Sequence, residues 1–222
     1  MNDNQNTAGE GRKRVRTRSL ESRMASVASD VFSPLLMATY AMAVALWLTP
    51  MNRLPIGVRG WSTAGVFFIT ALIPGLTVYM LMRAGKVSDA SISDRRERPI
   101  PFLVSVACYV GASFYVGALH APRWLVCFLV AAAAVAVLEL IVSLWWKISA
   151  HTGAAGGLAG FVFWLGVRGA LIGDPLVLIS IAILLVGVLG WARLVLRRHT
   201  VGQVLAGALL GFGVEFGMLS LI

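Results

Sequence analysis

Near the end of the chain, Arg193, Arg197, Arg198 and His199 stand together between two long apolar runs. Charged side chains in that position are costly unless they line a polar pocket or a membrane surface. A histidine beside several guanidiniums suits chemistry on a phosphate. The cations hold an anionic group while an imidazole attacks it or moves a proton. A second histidine, His151, follows Lys147 and Ser149 in an earlier polar stretch, and Arg95 and Arg98 end a third. Two imidazoles at one anion site permit a division of labour, in which one attacks phosphorus in line and the other protonates the departing oxygen. Taken singly, each residue has a plainer use: an interfacial histidine as a polar anchor, a boundary arginine as a topology signal. His120 fits the plainer use.

The elements that must position these residues follow from composition. Of 222 residues, 58% are hydrophobic and 13% charged, with a mean hydropathy of +0.81. That charged fraction is about half the usual ~25% of a soluble domain. Apolar runs recur at 34–49, 61–82, 100–119, 124–146, 153–167, 175–194 and 201–222. Most are long enough to cross a bilayer as helices, so the expected fold is all-α, a polytopic transmembrane helix bundle. Seven spans are expected, with six as the alternative because the first and fifth runs are short. The expected organisation is a disordered basic tail over residues 1–30, ending in a short interfacial helix or an extension of the first span. A single membrane domain follows over 31–222.

The chain carries 19 Lys and Arg against 10 Asp and Glu. In a soluble protein that excess would suggest nucleic acid, but here the positives sit at the ends of apolar runs, and no nucleic-acid partner is expected. Fifteen of the 19 fall on one face if seven spans are counted: the tail, the 83–98 loop, Lys147, and Arg193 with Arg197 and Arg198. Arg53, Arg59, Arg123 and Arg168 fall on the other. The bias puts the N-terminus and the polar loops in the cytoplasm. Cys108 and Cys127 lie inside apolar runs and read as packing residues. Glycines spaced by four (153/157, 156/160, 207/211 and 213/217) read as close helix contacts.

Three polar segments, 86–98, 147–152 and 193–200, then share a face, and each immediately precedes an apolar helix. Pro99 suits a first helical turn, Ser149 or Thr152 can cap the next helix, and Thr200 can cap the last. Three helix N-termini aimed at one region favour an anion. Glu139 stands inside an apolar run, by default a functional hypothesis. Its distance along the chain from His151 sets it apart from the phosphate site. Glu215 stands similarly in the last run.

These residues resemble the type 2 phosphatidic acid phosphatase and vanadium haloperoxidase superfamily, whose motifs are Lys-x6-Arg-Pro, Pro-Ser-Gly-His and Ser-Arg-x5-His-x3-Asp. Here Arg98-Pro99, Ser149-Ala150-His151 and Arg193-x5-His199-x3-Gln203 stand in the same order. The likeness is to a divergent branch of small bacterial membrane members. The resemblance implies that His199 is the nucleophile and His151 the general acid. It implies that Arg98, Ser149 and Arg193 hold phosphate. The first-motif lysine would fall at Ser91, and Arg95 or Lys86 could supply the missing charge; Arg95 or Lys147 is the further cation expected beside Arg98 and Arg193 at the anion site. The aspartate that orients the nucleophile is replaced by Gln203, whose oxygen still accepts an imidazole N–H but brings no charge.

The expected function is an integral membrane phosphatase acting on a lipid or polyprenyl phosphate or diphosphate through a phosphohistidine, without a metal or other cofactor. The expected location is the bacterial plasma membrane, with the site on the cytoplasmic side. Its expected partners are that substrate and the bilayer. Gln203 and Ser91 favour one alternative, a degenerate relative that binds phospholipid as a scaffold. A prenyltransferase would need aspartate-rich pairs for magnesium diphosphate, and Asp94 with Glu97 is a poor substitute.

Overall fold

The computed structural model describes residues 19–92 and 94–222. The cluster Arg12, Lys13, Arg14, Arg16 and Arg18, expected as a disordered tail, lies outside the described residues. The described chain is built of helices and connecting loops, with no strand among the described residues. α1 (Leu20–Val31) leads into α2 (Pro34–Trp47). α3 (Ile56–Phe67) continues through a π turn (Phe68–Leu72) into α4 (Ile73–Arg83). α5 (Pro99–Ala118), α6 (Arg123–Ser143), α7 (Ala150–Val167), α8 (Pro175–Val195) and α9 (Val201–Ser220) follow.

Six of these stretches, the continuous Ile56–Arg83 and each of α5 to α9, are long and apolar enough to cross a membrane. α1 and α2 pass the same test together, bent by 60°, and add a seventh where the bent pair is one span and not a re-entrant element. The break between them has a local cause. Ser33 precedes Pro34 and is extended at φ −59° and ψ 144°, the conformation that a following proline ring imposes. α2 then traverses the bundle in 14 residues, about 21 Å of rise. Ser33 and Pro34 line a cavity at one end, while Leu46 and Thr49 line a cleft at the other with His120.

Sequence signals place the remaining ends. Pro99 and Pro175 open α5 and α8, where a missing N–H costs nothing, and Asp174 Oδ1 accepts from the Leu176 N–H at 2.9 Å. Gly169 and Gly173 adopt φ of 62° and 85° in the turn between α7 and α8, a region that side chains avoid. Pro74, two residues past the π turn, lacks an N–H and crowds the carbonyl behind it, which accounts for the irregular turn in the long Ile56–Arg83 helix.

The centre of the bundle is α7, most of whose side chains are buried. It packs most closely on α9. In a bilayer apolar surface gains nothing by leaving lipid, so close backbone approach supplies the attraction. A Cβ on Gly211 would sit 1.9 Å from the Gly153 carbonyl, and one on Gly156 would sit 2.2 Å from the Ala208 carbonyl. Gly207 and Gly160 are similarly confined by Ser149 and Phe212. Gly213 and Gly217 have nothing within 4 Å, so the last of the four expected glycine contacts is not made. Aromatic rings fill the flanks, with Phe128 on Phe161 and Phe163 between Phe212 and Phe216.

Candidate phosphate site

The α7–α9 contact joins two of the polar segments at the residue level. The Ser149 N–H donates to the Gln203 carbonyl at 3.3 Å, and Thr152 Oγ1 donates to the Val204 carbonyl at 2.9 Å. Ser149 caps α7, with its Oγ accepting from the Thr152 N–H at 3.5 Å, and is fully buried. Groups left unpaired at one helix terminus are thus satisfied partly by the next helix. The start of α7 and the start of α9 are held side by side, and His151 stands near His199.

His199 sits in the short connection before α9. Its Nδ1 lies 3.1 Å from Gln203 Oε1, which also accepts the Thr200 N–H at 3.2 Å. A backbone N–H only donates, so the glutamine atom facing it is the oxygen. That oxygen in turn needs a donor from the ring. His199 is therefore protonated at Nδ1, and Nε2 keeps its lone pair. Burial, reinforced by the charges of Arg193 and Lys147, pulls the imidazole down to about 3, with the Gln203 hydrogen bond opposing. The ring is neutral at ordinary pH, as a nucleophile requires.

The cations come from three elements. Arg98, the residue before Pro99, is buried at 3% exposure. Its Nη1 donates to Ser143 Oγ at 3.0 Å and to the Ile148 carbonyl at 2.8 Å, while its plane lies over Phe102. These contacts fix the guanidinium against the ends of α6 and α7. Arg193 is 2% exposed, and its Nε has no hydrogen-bond partner among the described residues. A buried guanidinium N–H without an acceptor is expensive unless an anion supplies one. Arg198 reaches Asp89 at 3.5 Å, tying the 84–92 loop to the α8–α9 connection.

Arg98, His151, Arg193 and His199 all line one cavity of about 340 Å³, together with Ser91 and Asp30. The other expected site residues stand differently. Gln203 and Ser149 are outside the cavity wall and hold the residues that form it. Arg95 is exposed and donates to the Leu144 carbonyl. Lys147 is half-buried and acts on Arg98, Arg193 and His199 through its field; burial and those arginines push its own ammonium value down. Neither Arg95, Lys147 nor the exposed Lys86 lines the cavity.

One expectation is overturned. Glu139 lies 12 residues before His151 in sequence, yet both line the same cavity. α6 and α7 run in opposite directions, so Glu139, one turn before the end of α6, is level with Gly153, one turn into α7. Counting residues through the turn overstated their separation. Ser29, Asp30 and Ser33, at the α1–α2 corner, also border the cavity. No motif marks them, because only the bend brings that corner to the site. Among the described residues no group of three His, Cys, Asp or Glu side chains could hold a metal ion.

Comparison with curated proteins and with solved structures finds no match. A family model, that of the PAP2 superfamily, does match, over residues 141–222. That stretch runs from the end of α6 through α9 and carries Ser149, His151, Arg193, His199 and Gln203. Over this stretch, which also holds the bond between Ser149 and Gln203, the chain is similar to the PAP2 superfamily, and the match supports its membership there.

Proposed function

We propose that this membrane protein hydrolyses a phosphate monoester or diphosphate carried on a lipid or polyprenyl chain, through a phosphohistidine on His199. The superfamily supports phosphatase-type activity in general. The observation that carries the finer reading is the His199–Gln203–Thr200 chain, which leaves Nε2 with a lone pair in the cavity that also holds Arg98, His151 and Arg193.

In the first step the His199 Nε2 lone pair forms a bond to phosphorus while the bond to the leaving oxygen breaks. His151, entering the step as the imidazolium, gives that oxygen a proton and becomes neutral, and the alcohol or phosphate departs. In the second, His151 takes a proton from water, whose oxygen attacks the phosphohistidine. Inorganic phosphate leaves and both imidazoles return to their starting states. Arg98 and Arg193 hold the equatorial oxygens, where charge builds up as the bonds exchange. The loop charge bias supports a cytoplasmic site. Phosphate release from lipid phosphates in detergent, inhibited by vanadate, is the expected result. Unchanged turnover in His199→Ala would exclude the mechanism.

A second reading, binding without turnover, is favoured by two observations. Gln203 is neutral where a charge would stabilise phosphohistidine, and Ser91 lines the cavity where the resemblance expects lysine. Acid-quenched protein treated with phosphorus-labelled substrate separates the two, because only the enzyme retains label, and only while His199 is present.

A further inference from the structure

The cavity does not end at the histidines. It continues inward along α7 to Glu139 of α6 and Glu215 of α9. Both are deeply buried, at 4% and 1% exposure, and each has an Oε1 without a hydrogen-bond partner among the described residues. The glycine stripe of α7 makes room for them. A Cβ on Gly153 would lie 1.8 Å from Glu139 Oε1, and one on Gly157 would lie 3.6 Å from Glu215 Oε2. Gly153 and Gly157 stand two and six residues beyond His151 on the same helix. At 1.5 Å per residue the two carboxyl groups are therefore ~3 Å and ~9 Å deeper than that imidazole.

No hydrogen bond among the described residues uses either Oε1. Arg98, the cation whose field acts on Glu139, directs its Nη1 to Ser143 and Ile148 instead. Tyr109, also on the cavity wall, turns its hydroxyl to the Pro34 carbonyl at 3.5 Å. A bare hydrocarbon chain lying along this path would leave both carboxyl groups unpaired, at full desolvation cost. A hydroxyl group would donate to either one, whatever its ionisation state.

We infer that Glu139 and Glu215 form a second subsite in this cavity, which hydrogen-bonds hydroxyl groups on the substrate within about 10 Å of its phosphorus. The subsite selects a hydroxyl-bearing phosphate lipid over one whose chain is hydrocarbon from the phosphate oxygen onward. This deepens the proposed function and rests on phosphate occupying the His199 end.

The test is binding of three non-hydrolysable phosphonates to the purified full chain in detergent. One is hexadecylphosphonate, the second carries a glycerol hydroxyl between phosphonate and chain, and the third has that hydroxyl methylated. The hydroxylated ligand should bind at least roughly tenfold more tightly than the other two, as expected for one hydrogen bond made in place of an unpaired group. The readout is the ratio of dissociation constants, which a merely structural role for the acids would not move. Glu139→Leu and Glu215→Leu should bring the ratio toward one, and Glu139→Gln should keep most of it through its amide oxygen. Equal binding of all three by the unmodified protein overturns the subsite and leaves the phosphate site standing, as does a ratio unchanged in the leucine variants. If no phosphonate binds, the phosphate reading itself fails and the subsite falls with it. Should the leucine variants not fold, the methylated ligand decides: affinity equal to the hydroxylated one refutes the inference.

Discussion

Gln203 Oε1 lies 3.1 Å from His199 Nδ1 and accepts the Thr200 N–H with the same atom. One glutamine oxygen thus fixes both the tautomer of the imidazole and the first turn of α9. What it lacks is charge. Gln203→Glu is nearly isosteric and leaves an oxygen at the same place while adding that charge. It should raise turnover about tenfold or more by stabilising the phosphorylated imidazole. Gln203→Leu should lose both the tautomer control and most of the activity. Rates of phosphate release for the two variants check this, and a slower Gln203→Glu enzyme would count against His199 as nucleophile.

The two cavity arginines should not tolerate lysine. Arg193 is buried with an N–H awaiting an acceptor, and Arg98 reaches Ser143 and Ile148 from Nη1 and Ile92 from Nε. A lysine ammonium offers neither the planar fork nor the reach of two donors on separate nitrogens. Arg193→Lys should weaken vanadate inhibition and reduce kcat/KM about a hundredfold, in keeping with losing a charge-assisted bond to the transferring group. Vanadate titration against both variants gives the answer, and unaltered inhibition would remove Arg193 from the phosphate site.

The acid limb of activity should lie far below the ordinary imidazole range. His199 is held down to about 3, against a free value of 6.5. Protonation that disables the nucleophile should therefore begin well under pH 6.5. Stability follows the same pair of values. The unfolded chain takes up a proton at about 6.5 and the folded chain only at about 3. The His199 contribution is then complete above 6.5 and is lost as pH falls through that window. Thermal midpoints between pH 7 and pH 4 should fall less steeply in His199→Gln than in the unmodified chain. Imidazole titration by NMR offers a direct check, since a His199 midpoint at or above 6.5 contradicts the burial argument.

Glycine substitutions should divide sharply along α9. Gly211→Ala forces a methyl group to within 1.9 Å of the Gly153 carbonyl, so α7 and α9 must separate. A loss of about 1–3 kcal/mol or more is expected from overpacking. Gly213→Ala and Gly217→Ala meet nothing within 4 Å and should change stability by less than about 0.5 kcal/mol. Unfolding in detergent, followed by tryptophan fluorescence, separates the two groups.

With seven passes, the two ends of the chain lie on opposite sides of the membrane. A reporter fused after Ile222 should read outside and one at the N-terminus inside. Matching signals at both ends would reduce the α1–α2 pair to a re-entrant element and the count to six.

Much of this arrangement could be read from local sequence. Pro99, Ser149 and Thr200 announced helix starts, because capping chemistry acts within three or four residues. The spacing from Arg193 to His199 and Gln203 was also legible, since a short connection and one helical turn fix it. Depth in the membrane was not. Glu139 and Gly153 are level only because α6 and α7 are antiparallel, and residue counting gives no hint of that. The glycine pairs looked alike, yet only those on the α7-facing side of α9 meet a backbone; Gly213 and Gly217 differ from Gly207 and Gly211 by rotation about the helix axis. Charge alone could not separate Arg193, which lines the cavity, from Arg95, which does not, because that depends on which way each helix end points.

The family match begins at residue 141, and the cavity does not respect that boundary. His151, Arg193 and His199 come from inside it, whereas Ser33, Met37, Phe102 and Glu139 come from outside. Neither end of the cavity belongs to one side of that boundary: Arg98, from outside it, stands with the histidines, and Glu215, from inside it, stands with Glu139. A chain built this way cannot exchange its first half freely, because Arg98 would leave the histidines with it.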